Sequence, residues 1–253
     1  MTPENFQATL ATVGVSLSAD QMAAFHQYYL LLVQANEKMN LTAITAAGEV
    51  YLKHFFDSLT LVQAVPELQT NPLSVLDVGS GAGLPGIPLK IAFPQLSLTI
   101  LDSLQKRINF LNDVVAELDL TPVALIHARA EDAGNQRSQY REAFDVVTAR
   151  AVAPLNVLAE LTVPFVKPGG IFVAMKGSGA ASEEADATYA LNKLGAHLEN
   201  DVALTLPEDA GERHILVYRK TRHTPKRYPR RAGTPHAEPL TAAKSAPITR
   251  TRK

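Results

Sequence analysis

The stretch Asp77-Val78-Gly79-Ser80-Gly81-Ala82-Gly83 decides how this chain folds. It sets a Gly-x-Gly-x-Gly turn directly after the strand pattern Val75-Leu76-Asp77-Val78 and ahead of a helical pattern beginning near Pro85. Glycines are needed where a strand turns tightly into a helix and a ligand approaches the backbone, because a Cβ would clash there. The following helix offers free N–H groups, and Pro85 suits its first turn, where its missing N–H would be unpaired anyway.

Outward from this loop, short apolar runs rich in β-branched residues alternate with longer amphipathic stretches. Strands are expected at 74–78, 97–101, 123–127, 144–148 and 171–175, with helices near 85–93, 104–118 and 154–166. That alternation indicates βαβ units and a parallel sheet with helices on both faces, an α/β fold. Two further strands, 201–206 and 214–218, follow a helical stretch at 183–194. Upstream, Asp20 can cap a helix carrying Met22, Phe25, Tyr29, Leu32 and Val33 at helical spacing, and a second helical stretch runs over 48–65. Three segments result: a helical cap over 1–68, a cofactor-binding domain over 69–220, and a tail over 221–253. The tail is dominated by Pro, Arg, Thr and Ala and is expected to be mostly disordered.

Three ligands compete for the glycine loop. A phosphate-binding P-loop is excluded, because no Lys follows Gly86 where that motif needs one. The nicotinamide pattern fits Gly81-x-Gly83-x-x-Gly86 formally, but Asp77 stands where an apolar residue is usual. An acid there would repel a pyrophosphate, whereas it suits the ammonium and sulfonium charges of S-adenosylmethionine. Asp102 ends the second strand 19 residues after Gly83 and can accept hydrogen bonds from ribose hydroxyls. It could equally cap the helix from Leu104. Ala130 and Glu131 follow the third strand, where they could border an adenine. Arg150 ends the fourth strand and Lys176 the fifth. Ligands of open parallel sheets sit beyond those carboxyl ends, and an arginine between apolar neighbours needs a partner. Arg150 is therefore expected to meet cofactor or substrate.

The residues together resemble the glucose-inhibited division protein B family of bacterial small-subunit ribosomal RNA guanine-N7 methyltransferases. The resemblance is carried by 77–88, by Asn40-Leu41-Thr42, by His54-Phe55-Phe56-Asp57-Ser58-Leu59, by Asp102-Ser103 and Lys106-Arg107. It continues in Thr148-Ala149-Arg150-Ala151-Val152, Met175-Lys176-Gly177 and the terminal Tyr228-Pro229-Arg230-Arg231. In that terminal motif Ala232 stands where proline is common, and the extension after Leu240 is unusual. The resemblance implies a class I S-adenosylmethionine-dependent methyltransferase, Rossmann-like, with a mostly parallel seven-stranded sheet. It implies cofactor contacts at Gly79, Leu84, Ala130, Glu131 and Arg150. With Asp77, Ser80, Gly81, Gly83, Asp102, Ser103 and Leu104 these make up the expected cofactor set. Asn40, His54, Asp57, Lys176, Arg230 and Arg231 are the expected substrate residues.

Composition narrows the remaining possibilities. The chain has 253 residues and no cysteine, which excludes disulfides, thiolate metal sites and a cysteine nucleophile. No two histidines stand at metal-ligand spacing, so no metal is expected. No secretory signal and no run of roughly 18 apolar residues occurs, so a cytoplasmic protein without membrane contact is expected; a monomer is expected as well. The net charge of −1 conceals a division. From Arg219 onward there are eleven Lys and Arg and one acid, leaving 13 basic and 24 acidic residues before it. A basic tail on an acidic body suggests a polyanionic partner, which the resemblance specifies as 16S ribosomal RNA or the small subunit.

Guanine N7 carries a lone pair and no proton, so it needs no general base. Arg150 is then the candidate catalytic residue only as an orienting group. Two other readings stay open from residues alone: a nicotinamide-dependent oxidoreductase, and a non-catalytic RNA-binding ribosome assembly factor.

Overall fold

The computed structural model describes residues 1–150 and 153–242. Seven strands form one sheet: β1 (Ser74–Val78), β2 (Ser97–Asp102), β3 (Val123–His127), β4 (Phe144–Arg150), β5 (Val166–Lys176), β6 (Ala196–Thr205) and β7 (Glu212–Lys220). Their order is β3-β2-β1-β4-β5-β7-β6. The first five are parallel, and β7 pairs antiparallel with both β5 and β6. The order reverses between β1 and β4, the switch point where open α/β sheets bind ligands beyond their carboxyl ends.

The main crossover helices are α5 (Gly86–Ala92), α6 (Gln105–Glu117), α8 (Leu155–Thr162) and α9 (Ala180–Leu194), with a short α7 (Ala130–Ala133) after β3. Pro85 stands one residue before α5, at its cap. β6 begins five residues before its expected start. Its flank from His197 to Asp201 is exposed and, apart from Leu198, polar, so this edge strand carries no hydrophobic alternation to announce it.

The cap comprises α1 (Pro3–Thr12), α2 (Ala19–Met39) and a helical segment from Ala47 to Gln63. Ser18 rather than Asp20 caps α2, through a reciprocal capping box with Gln21. The third segment changes winding along its length: α3 (Ala47–Val50), a π turn at Tyr51–Phe56, α4 (Asp57–Leu59) and a 3-10 turn at Thr60–Gln63. Phe6, Phe25, Tyr28, Tyr51 and Phe55 form an aromatic knot with ring centroids 5.1–6.4 Å apart. This knot belongs to the same buried cluster as Ile87, Ile100, Leu111, Val146 and Val173. Cap and sheet therefore share one core.

The tail departs from expectation. Residues 221–242 are not a disordered extension but pack against the body, while 243–253 lie outside the described residues. Arg141 donates to the carbonyls of Thr224 and Tyr228 at 2.7 Å each. Thr224 N–H donates to Glu142, and Arg230 is held by Glu160, which is only 1% exposed. Tyr228 and Pro235 are buried. Composition misleads here because the segment is ordered chiefly by polar groups meeting buried acids and an arginine of the body. Hydrophobic periodicity does not register that kind of order.

Candidate functional site

Three recesses that share lining residues form a groove across the carboxyl ends of β1, β2 and β4. Gly79, Asp102 and Ser103 line the first two, and His54 and Arg150 line the second and third. The central recess has a volume of about 410 Å³ and is bounded by Gly79, Ser80, Gly81, Leu84, Asp102 and Arg150, with Thr42 and Arg107 at its sides.

The glycine loop is built from beneath. Asp77 is fully buried, and its Oδ2 accepts from Gly86 N–H at 2.8 Å and from the Ser80 hydroxyl. Burial raises its pKa to about 6, against the pull of those two donors. Its other oxygen, Oδ1, is buried without a hydrogen-bond partner. Asp77 thus braces the loop from behind and does not line the groove, a different place from the direct cofactor contact expected of it. Tyr28 of α2 adds a second brace: its hydroxyl donates to the Ala82 carbonyl at 2.6 Å.

The glycines divide by role. Gly81 sits at φ +63°, and a Cβ added there meets nothing within 4 Å, so the space above it is open. Gly83 sits at φ +99°, and a Cβ there would lie 2.7 Å from Ile87 Cγ1 and 2.9 Å from Leu111 Cδ2. Gly83 therefore serves packing, while Gly81 leaves a cradle on the groove side.

Of the two roles expected of Asp102, the helix cap is observed. Its Oδ1 accepts from Leu104 N–H at 2.9 Å, capping α6, while Oδ2 accepts from Gly81 N–H at 3.0 Å and from Arg107. It lines two of the recesses at once. Leu104 contributes its backbone to that cap and leaves its side chain exposed. Ala130 and Glu131 line the first recess beside Ser103. An open glycine cradle next to an acid on a second strand suits a nucleoside cofactor with a substituted ribose.

Arg150 borders the second and third recesses with its guanidinium already paired to the cap. Its Nη1 donates to Asp57 Oδ2 and to the Lys53 carbonyl at 3.0 Å each, and its Nη2 lies 3.4 Å from His54 Nδ1. Asp57 also accepts from Arg213 Nε of β7 at 2.9 Å. A carboxylate from the cap thereby joins an arginine of β4 to one of β7, and together with the shared core it fixes the cap over the groove. The π turn sets His54 and Asp57 against this pair. His54 is 7% exposed, its Nε2 lies 2.9 Å from Thr42 Oγ1, and burial with the adjacent Arg150 charge lowers its pKa to about 4. Its ring is neutral near pH 7.

Other expected residues have separate places. Lys176 lines the third recess, but its ammonium donates to Glu183 at 2.7 Å and to the Ala153 carbonyl at 2.8 Å, tying β5 to the start of α9. Asn40 caps α2 in the left-handed conformation and is exposed, while Leu41 and Thr42 line the groove instead. Arg230 is held by Glu160, and Arg231 is exposed. Tyr28, Arg107, Arg213 and His236 also border or brace the groove, outside the expected site residues. For Tyr28 the signal was a phenol on an otherwise apolar helix face. Arg213 gave none, because only the sheet order brings β7 beside β5 and within reach of Asp57. Among the described residues no cluster of His, Asp or Glu could hold a metal ion. No described helix is long and apolar enough to cross a membrane.

Strand order and groove together define a class I methyltransferase, a Rossmann-like α/β enzyme dependent on S-adenosylmethionine. The chain belongs to the GidB family, rRNA small subunit methyltransferase G, whose model matches residues 21–216. It is 54% identical over 242 residues to the ribosomal RNA small subunit methyltransferase G of Lactiplantibacillus plantarum, covering 96% of this chain and 99% of that one. It is 56% identical to the protein of the same name from Lacticaseibacillus paracasei, covering 96% and 100%. Among solved structures, a mutant of MtNAS matches with a TM-score of 0.52 at 14% identity, covering 79% of this chain and 74% of that one.

Proposed function

We propose that this chain transfers a methyl group from S-adenosylmethionine to N7 of a guanine in 16S ribosomal RNA, in the cytoplasm and as a monomer. The observation that carries the reading is the continuous groove. Its open glycine floor and Asp102 suit the cofactor, and past Arg150 it leads to a recess bordered by Lys53, Lys176 and Arg213 that suits an anionic substrate. When bound, S-adenosylmethionine supplies an electrophilic methyl group on a sulfonium.

With no proton to remove from N7, the protein's task is orientation and exclusion of water. In this reading Gly79, Ser80, Gly81 and Leu84 floor the cofactor site, Asp102 and Ser103 face the ribose, and Ala130 and Glu131 border the base. Arg150 orients the reactants. Its Nη1 is held by Asp57, which Arg213 shares, so its charge is offset in part where the purine gains positive charge on methylation. His54 is neutral at working pH and adds no repulsion. Asp57, His54 and Lys176 shape the substrate recess, and Arg231 is available to the RNA backbone.

The test is incubation with labelled cofactor and unmethylated 16S ribosomal RNA, as naked RNA, as small subunits and as ribosomes, followed by mass-spectrometric mapping. A single 7-methylguanine is expected. Absence of transfer to all three substrates would replace this reading with a non-catalytic RNA-binding factor. Binding of a nicotinamide dinucleotide in preference to S-adenosylmethionine would replace it with an oxidoreductase.

A further inference from the structure

The first recess of the groove is lined by Val78, Leu101, Ala128 and Leu161 on its apolar sides, with Asp102 and Ser103 at its mouth. One aromatic side chain borders it among the described residues, His236. It comes neither from the sheet nor from the loops that follow its strands. It sits on α10 (Thr234–Ala237), a single helical turn of the C-terminal segment.

The chain leading into that turn is anchored to both α7 and α8. Arg230 donates three hydrogen bonds to Glu160 through its side chain at 2.7–3.1 Å, its backbone N–H adds another at 2.7 Å, and Nη2 reaches on to the Glu238 carbonyl at 2.8 Å. Gly233 adopts φ +85° and donates its N–H to Glu131 Oε1 at 2.8 Å. Glu131 and Glu160 are 7% and 1% exposed. Two buried acids, one on α7 and one on α8, thus fix the chain just before His236, at Gly233 and Arg230, and Arg230 in turn holds the Glu238 carbonyl after it. The mount holds the exposed His236 at a fixed place on the rim of the recess, as a side chain that must stand beside a bound ring requires.

We infer that the C-terminal segment completes the adenine end of the cofactor site and that His236 stacks on the adenine of S-adenosylmethionine. Glu131 then acts as a positioning residue, through Gly233, as well as by bordering the base. The inference rests on the cofactor reading above, in which Asp102 faces the ribose and the first recess takes the base. An imidazole is flat and π-rich, and stacking of this kind tolerates replacement by another aromatic ring but not by a methyl group.

The test is calorimetric titration of the full chain with S-adenosylhomocysteine in the absence of RNA, for the natural protein and for His236→Ala, His236→Phe and Asp102→Asn. His236 is exposed, so its replacement leaves the fold intact, which circular dichroism and the melting temperature check. His236→Ala should weaken binding about tenfold, as the loss of one stacking partner does. His236→Phe should restore most of it, a rescue that a merely structural role would not show. Unchanged affinity in His236→Ala alongside weakened binding in Asp102→Asn would overturn the inference and leave the cofactor reading standing. Unchanged affinity in both would overturn the cofactor reading as well.

Discussion

Alanine at Gly81 and alanine at Gly83 should injure the protein in opposite ways, although only Ala82 separates them. Both glycines lie at positive φ, +63° and +99°, so each substitution places an L side chain in strained backbone at a cost of about 1–2 kcal/mol. At Gly81 that is the whole stability cost, because the new Cβ has no neighbour within 4 Å. The methyl group instead enters the groove above the glycine floor. At Gly83 the Cβ would lie 2.7 Å from Ile87, 2.9 Å from Leu111 and 3.0 Å from the Tyr28 hydroxyl. All three are packed, so overpacking adds about 1–3 kcal/mol, for a total of about 2–5 kcal/mol. Urea unfolding of the apo protein and calorimetric titration with S-adenosylhomocysteine separate the two. Gly81→Ala should unfold close to the natural midpoint and lose at least tenfold in affinity. Gly83→Ala should unfold far earlier, and at low temperature, where it is folded, its affinity should fall less than that of Gly81→Ala. A stable Gly83→Ala, or a Gly81→Ala that binds normally, would refute the division of roles.

Asp57→Ala removes the acceptor shared by Arg150 and Arg213, and leaving two half-buried guanidinium groups without it should cost about 3–5 kcal/mol. Methyl transfer should fall more than tenfold while S-adenosylhomocysteine affinity changes little; a full-rate variant would show that the link between cap and sheet is dispensable. Stability between pH 4 and 6 tests two buried groups that oppose each other. Burial raises the pKa of Asp77 to about 6, so its contribution is greatest at low pH and is lost as pH rises from near 4 through 6. His54, lowered to about 4, gives a contribution that is full above its unfolded value near 6.5 and lost as pH falls through 4. At roughly 1.4 kcal/mol per unit each effect is about 3 kcal/mol, so they nearly cancel in the natural protein. His54→Gln should expose the Asp77 effect as stability declining from pH 4 to 6, and a flat profile would refute it. Arg231→Ala should lower the salt slope of RNA binding by about one without destabilising the fold. Arg230→Ala should instead lower the melting temperature, because it strands Glu160; the reverse pattern would show that the ion pair is not what orders the segment.

Much of this protein is legible along the chain, and the limits follow from what each signal measures. The run from Val75 to Gly86, the alternation of strands and helices after it, and the acid at Asp102 were sufficient for an α/β nucleoside-cofactor enzyme. Strand burial and glycine requirement are local properties, written in a few consecutive residues. The same locality explains the misplacements. Asp77 reads as a ligand because an acid before a glycine loop is visible in the sequence, whereas the direction its carboxylate takes, back to Gly86 and Ser80, depends on how the loop closes. The segment 221–242 reads as disordered because it lacks apolar periodicity; its order comes from Arg141, Glu142, Glu131 and Glu160, which are 70–102 residues away in the chain.

By itself the sequence determined the sheet, the glycine turn and the cofactor class, since each rests on spacing and on backbone conformations that few residue types allow. Only the tertiary structure decided which charges meet. Asp57 joins Arg150 to Arg213 across 93 and 156 residues, and Glu131 receives Gly233 across 102. A buried charge must find its partner wherever the fold brings one, and no local pattern in the chain records that choice.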